Sequence, residues 1–272
     1  MSWSNQNPSN EPSESSHLVD SLVKTLKNAD ADWKNVCMVM PEPKTQSLIY
    51  EYAEHLAIRS LLKIVDLPIT ARHYPNAVDM SPTGHVPFLL INEKIVAGYS
   101  NIVEFIELKG IKLSTTRTPS ENTDIVALSS LIDEDLRHLE MYVTWIDDET
   151  YHKVTKPRTA SVYTFPLDSI VPRIRRNTMR QYLVSRQYAK LTEKQVGEKA
   201  EAICLALSQR LGSRKYFVGE TASELDAVVF GHLFTILTTE LPCLILVNAI
   251  KKYPTLIDFV ARIEEELFPN RQ

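Results

Sequence analysis

Glycine is scarce in this chain, with seven in 272 residues. No G-x-G-x-x-G fingerprint, Walker phosphate loop or G-x-S-x-G elbow occurs, which removes the usual routes to nucleotide binding and serine-hydrolase chemistry. Cysteine is scarcer still. Cys37, Cys204 and Cys243 lie far apart, form no C-x-x-C pair and are odd in number, a pattern that favours a reducing compartment over a disulfide framework. The only Asn-x-Ser/Thr triplet, Asn7-Pro8-Ser9, is disqualified as a glycosylation acceptor by its proline. The opening stretch MSWSNQNPSNEPSESS has neither the apolar core of a secretory signal nor the arginines of a transit peptide, and reads as a disordered tail. Long apolar runs are missing too. The best membrane-span candidate, residues 227–250, is interrupted by His232, Glu240, Pro242 and Asn248, so a pair of buried core helices is expected there.

What is present is an ordinary globular composition, 44% hydrophobic and 24% charged, long enough for two modest domains. A short amphipathic helix is expected over Leu18–Leu26. Gln46 to Tyr50 reads as a strand after the prolines at 41 and 43, and Glu54 to Val65 has helical spacing. Ile69 to Arg72 reads as a second strand, followed by two short strands at Phe88–Ile91 and Lys94–Val96 and a helix opening at Ser100. That order, βαβββα, is that of a thioredoxin-like α+β domain. From Glu121 onward the pattern is helical. Ile125, Leu128, Ile132, Leu136, Leu139, Val143 and Ile146 form one stripe, and further helices are predicted over 170–182, over 193–211 with a stop at Gly212, and from Tyr253-Pro254 onward. Ser223-x-x-Asp226 has the form of a capping box ahead of an apolar helix. The expected division is an N-terminal extension over 1–45, a thioredoxin-like domain over 46–112 and an all-helical domain over 120–272.

The net charge of −4 conceals an asymmetry: residues 153–194 hold ten Lys/Arg against Asp168 and Glu193, a local +8 that leaves −12 for the rest. Arg173, Arg176 and Arg180 share one helix face, with Arg175 to the side. This face is expected to dock on anionic headgroups or an acidic partner surface, against the plain alternative of a solvated helix face. Aromatic residues are too few around it for a nucleic-acid surface.

The two-domain plan looks like a glutathione-transferase-type chain, and within that superfamily it resembles the metaxins, most of all their metaxin 2 branch. The residues carrying the resemblance are DMSPTGHVPFLL (79–90), YVTWIDDET (142–150) and ALSQRLGSRKYFVGETASELDAVVFGHLFTILTTEL (206–241), within a similarity running from about Gln46 to Phe268. The resemblance implies a peripheral protein on the cytosolic face of the mitochondrial outer membrane. It would act there with metaxin 1 and the β-barrel assembly core in building outer-membrane β-barrel proteins. Contact with motor-adaptor proteins, as a transport scaffold, is a further role implied at family level.

A working transferase is the competing expectation. Its ligand site would use Pro87 as a cis-proline exposing the Val86 backbone, and Ser100 at a helix N-terminus for a carboxylate. Tyr99 stands where the acidic or Gln residue before that Ser usually lies, and no motif marks Tyr50 or Tyr52 as a thiol activator. The site is therefore read as a remnant, with no catalytic residue, cofactor or metal expected. Glu134 and His138 share a helix face without a second ligand pair. Asp147-Asp148-Glu149 reads as a charged helix end, and His232 as a hydrogen-bonded core residue.

Overall fold

A computed structural model describes residues 33, 36–92, 94–111, 113 and 117–269. The helix expected over Leu18–Leu26 lies outside them. Four strands, β1 (Cys37–Met40), β2 (Thr70–His73), β3 (Phe88–Ile91) and β4 (Lys94–Ala97), form one sheet in the order β2-β1-β3-β4. β1 runs parallel to β2 and antiparallel to β3, and β3 and β4 make a hairpin. Alternation along β1 divides the two faces of the sheet. Met38 and Met40 enter the main core, while Cys37 and Val39 join a small cluster with Ala77, Val86 and Phe88. Helices α1 (Ile49–Ile64), α2 (Ala77–Met80) and α3 (Tyr99–Leu108) complete this thioredoxin-like domain.

The strand expected at Gln46–Tyr50 is not there; α1 begins at Ile49. The carboxylate of Glu51 accepts the main-chain N–H of Leu48 at 2.8 Å, satisfying one of the free donors at the helix start. The first strand is instead the run Cys-Met-Val-Met, so the sheet reaches back before residue 46. The short apolar run 48–50 fits either period, and the helix wins because Leu48, Ile49 and Tyr50 all find the core in that form.

The second domain is helical. It comprises α4 (Pro119–Ser130), α5 (Arg137–Trp145), α6 (Asp148–Thr150), α7 (Lys156–Ala160), α8 (Leu167–Ser185), α9 (Glu193–Leu211), α10 (Glu224–Thr238), α11 (Ile245–Lys251) and α12 (Pro254–Leu267). A π-helical turn over Leu131–Leu136 joins α4 to α5 and rotates the chain, so that α5 is buried nearly all round. Residues 227–250 form the pair α10 and α11, and among the described residues no helix is long and apolar enough to cross a membrane.

The two domains are joined where α10 crosses α1. A Cβ added to Gly231 would meet Ala53 O at 2.5 Å and Ala57 N at 2.6 Å, so only glycine lets the backbones approach this closely. α10 starts at the expected box: Asp226 N donates to Ser223 Oγ at 3.4 Å, and Asp226 Oδ2 accepts from Ser223 N at 2.9 Å. Asp226 Oδ1 also accepts from Phe217 N at 2.9 Å, tying the preceding loop to the helix.

Candidate functional site

Between the domains lies a cleft of about 610 Å³, lined by Leu48, Tyr50, Val86, Met141, Trp145 and Met179 among others. The Val86–Pro87 bond is cis, as the sequence suggested, and Val86 faces this cleft. Ser100 does not. It is exposed, one residue into α3, whose N-cap is Gly98, and it lines a separate void of about 10 Å³ with Glu54, Tyr99, Asp133 and Arg137. Asp133 and Arg137 border both spaces.

Arg137 comes from the first turn of α5. Its Nη2 lies 3.2 Å from Glu54 Oε2 on α1 and 3.1 Å from His85 Nδ1, and its Nη1 lies 3.2 Å from Asp133 Oδ1. Guanidinium nitrogens only donate, so His85 accepts; burial, then the Arg137 charge, push the imidazole pKa down and keep it neutral. Burial raises the Glu54 carboxyl, with Arg137 opposing. Glu51 is also buried, which pushes it up to about 7 against the Leu48 N–H, Arg175 and Arg137.

The other charged groups of the cleft are likewise tied across the domain boundary. Arg158 on α7 donates to the Ser47 carbonyl. Arg175 on α8 approaches Asp79 on α2 at 3.4 Å and donates to Tyr163 Oη at 3.1 Å. Trp145 Nε1 donates to Tyr50 Oη at 3.2 Å. Burial above all lifts the Tyr50 phenol well beyond its usual range, so it stays protonated. Tyr52 stacks on His55 with centroids 5.6 Å apart. Tyr99, in the place of the missing Gln or acid, points away from the cleft and donates to the Glu224 carbonyl at 2.6 Å. The Glu224 carboxylate is gripped by both terminal nitrogens of Arg117. These polar groups tie the two domains together.

Nucleophile chemistry finds no better footing at the thiols. Cys37 and Cys204 are buried and Cys243 is partly so. Burial raises all three thiol pKa values, that of Cys204 to about 12, which disfavours the reactive thiolate.

Several polar readings are refined. His232 is a paired core residue, its Nδ1 2.9 Å from Glu140 Oε1 in the buried interior. His138 is buried: it stacks on Tyr182 and Tyr188, and its Nδ1 donates to the Glu134 carbonyl while Nε2 meets Tyr182 Oη at 3.0 Å. Glu134 itself is exposed, and among the described residues no group of three metal-ligating side chains assembles. Asp147 caps the start of α6 through Thr150 N at 2.7 Å.

The arginine face is divided. Arg173 and Arg180 are exposed. Arg176 is engaged within the fold, where a docking role was expected. Its Nε donates to Trp145 O at 3.0 Å, its Nη2 reaches Asp148 Oδ1, and its guanidinium lies 3.9 Å from the Tyr151 ring centroid. Arg175 is engaged at the cleft mouth. Helical spacing alone could not reveal this, because the partners come from other elements.

Missed by the sequence reading were Glu51, Glu54, Arg137 and Arg158. The signal for Glu51, Glu54 and Arg137 was polar residues set within otherwise apolar helical stretches, as in RHLEMYVTW, where buried positions demand a partner; Arg158, in KPRTA, carried none.

Comparison with known proteins agrees with this architecture. The family model described as "Outer mitochondrial membrane transport complex protein" matches residues 56–176, and "Glutathione S-transferase, C-terminal domain" matches 200–263. The Metaxin-2 homolog of Caenorhabditis elegans is 38% identical over 226 residues, covering 82% of this chain and 98% of its own. Human Metaxin-2 is 33% identical over 254 residues, covering 93% and 97%. Among solved structures, the Sphingobium β-etherase LigF superposes with a TM-score of 0.57 at 14% identity, covering 86% of this chain and 99% of that one, which speaks to the fold alone. A glutathione-transferase fold, together with 33–38% identity to metaxin-2 proteins over most of the chain, identifies it as a member of the metaxin family of outer mitochondrial membrane transport complex proteins.

Proposed function

We propose that the chain is a non-enzymatic subunit of the sorting and assembly machinery of the mitochondrial outer membrane. In this reading it acts with a metaxin 1 subunit and the β-barrel assembly core, peripherally and from the cytosolic face. The observation that carries the reading is the rewiring of the transferase cleft. Arg137–Glu54, Arg158–Ser47 and Arg175–Asp79 all run from the helical domain to the thioredoxin-like one. Arg137–Glu54 is the buried ion pair among them, and a buried charge that loses its partner costs several kcal/mol, so a ligand drawing on that pair would have to break the joint between the domains. A stiff two-domain body suits a scaffold that presents fixed surfaces to partners.

Fractionation of mitochondria tests this reading. The chain is expected in the outer-membrane fraction, released by carbonate or high salt, and co-purifying with a metaxin 1 subunit and the assembly core. Retention after both treatments, or purification without either partner, would contradict it. Glutathione conjugation is expected at background; turnover abolished by Tyr50→Phe would revive the transferase alternative.

A further inference from the structure

We propose that the solvent face of α8 is a membrane-contact surface that seats aliphatic side chains in the headgroup region of an anionic bilayer. It rests on the reading that the protein works at a membrane, and adds a lipid contact to attachment through partners.

Four apolar residues are open to solvent here: Phe165 is 84% exposed, Leu167 49%, Ile170 43% and Ile174 59%. Singly exposed apolar residues are common, but these are grouped. At about 100° per residue, Leu167, Ile170 and Ile174 fall within an arc of about 60°, and Phe165 stands in the turn just before the helix. The buried residues of α8, Pro172 and Leu183, lie on the opposite side. Nothing among the described residues covers the stripe, whose Ile174 also lines the edge of the interdomain cleft.

Cations flank the stripe. Arg173 and Arg180 border a groove of about 300 Å³ together with Lys156, His152 and Asn177. Arg176 also reaches this groove, but Asp148 neutralises it. Arg173 and Arg180 have no ion-pair partner among the described residues, so their charge faces outward. An anionic bilayer meets both parts of this surface at once: acyl chains and glycerol take the aliphatic stripe, and phosphate oxygens take the guanidinium groups. This is the design of a helix lying in the plane of an interface. α8 has 19 residues, about 28 Å at 1.5 Å per residue, long enough to rest on the surface along several headgroups.

The test uses the full chain with phosphatidylcholine vesicles, with and without cardiolipin, read by flotation. Binding is expected to the cardiolipin vesicles only, and to fall as salt screens the arginines. Arg173→Gln with Arg180→Gln should lower partitioning roughly thirtyfold, at about 1 kcal/mol per arginine and 1.4 kcal/mol per tenfold. Ile170→Ser with Ile174→Ser should also lower it, with circular dichroism unchanged. The emission of F165W should shift to the blue on the cardiolipin vesicles. Parent-level flotation of the arginine variant, equal binding to neutral vesicles, or unshifted F165W emission would each overturn the proposal. So would an Ile170/Ile174 variant that still floats but no longer co-purifies with a partner subunit, since the face would then be a protein interface. A parent chain that binds neither kind of vesicle yet co-purifies with its partner subunit would sink the lipid contact while leaving the assembly reading in place.

Discussion

The Tyr99 hydroxyl donates to the main-chain carbonyl of Glu224 at 2.6 Å, joining the first turn of α3 to the first turn of α10. In a transferase the residue before the helix-opening serine would serve the ligand. Here that position serves the contact between domains, and the tie is buried, so losing it should be felt.

Tyr99→Phe should therefore lower stability by about 1–2 kcal/mol, because it removes a buried hydrogen bond and leaves the carbonyl without that donor. Chemical denaturation measures this. A midpoint equal to that of the parent would mean that water replaces the phenol, and that the tie is incidental.

Gly231→Ala sets two effects against each other. Alanine gains about 1 kcal/mol of helix propensity over glycine, but its Cβ would lie 2.5 Å from Ala53 O, a backbone atom that no rotamer change can move. Overpacking costs typically about 1–3 kcal/mol, more where backbone must shift. A net loss is expected, with both domains unfolding at lower denaturant. An unchanged or raised midpoint would show that α1 and α10 can slide apart freely.

The start of α10 gives a ranked pair. Ser223→Ala removes the hydroxyl cap and should cost about 0.5–2 kcal/mol. Asp226→Ala should cost more, because Phe217 N and Ser223 N then both lose a buried acceptor. Equal melting temperatures for the two variants would contradict this arrangement.

Glu51 predicts a pH dependence. Its folded pKa is raised from an ordinary 4.5 to about 7, so across that window the folded chain holds a proton that the unfolded chain has lost. Stability should fall as pH rises from about 4.5 to about 7 and then level off. Glu51→Gln should match the parent near pH 4.5 and exceed it by up to about 3 kcal/mol above pH 7. Glu54 and Asp226 are raised too and slope the same way, so the difference between the two proteins is the reading that isolates Glu51. Parallel profiles would contradict it.

Much of the fold was legible because it rests on local periodicity. The hairpin Phe88–Ala97, α9 with its Gly212 stop and the Ser223–Asp226 cap all follow from short-range pattern. Two elements were not. The run at 48–50 is too short for periodicity to separate strand from helix, and β1 is spelled by cysteine, methionine and a single valine, a weak strand signal. The site was less legible than the fold. Pro87 announced itself, but Glu54 and His85, which meet Arg137, and the partners of Arg158 and Arg176 are long-range in sequence, and only the folded chain brings them together.

The most direct measurement of the central claim is the assembly of a labelled β-barrel precursor into the outer membrane of mitochondria from cells lacking this chain. Assembly is expected to fall, with import of a matrix precursor unaffected, and to recover with the parent chain and with Tyr50→Phe alike. Normal β-barrel assembly in its absence, or recovery that Tyr50→Phe abolishes, would contradict the account.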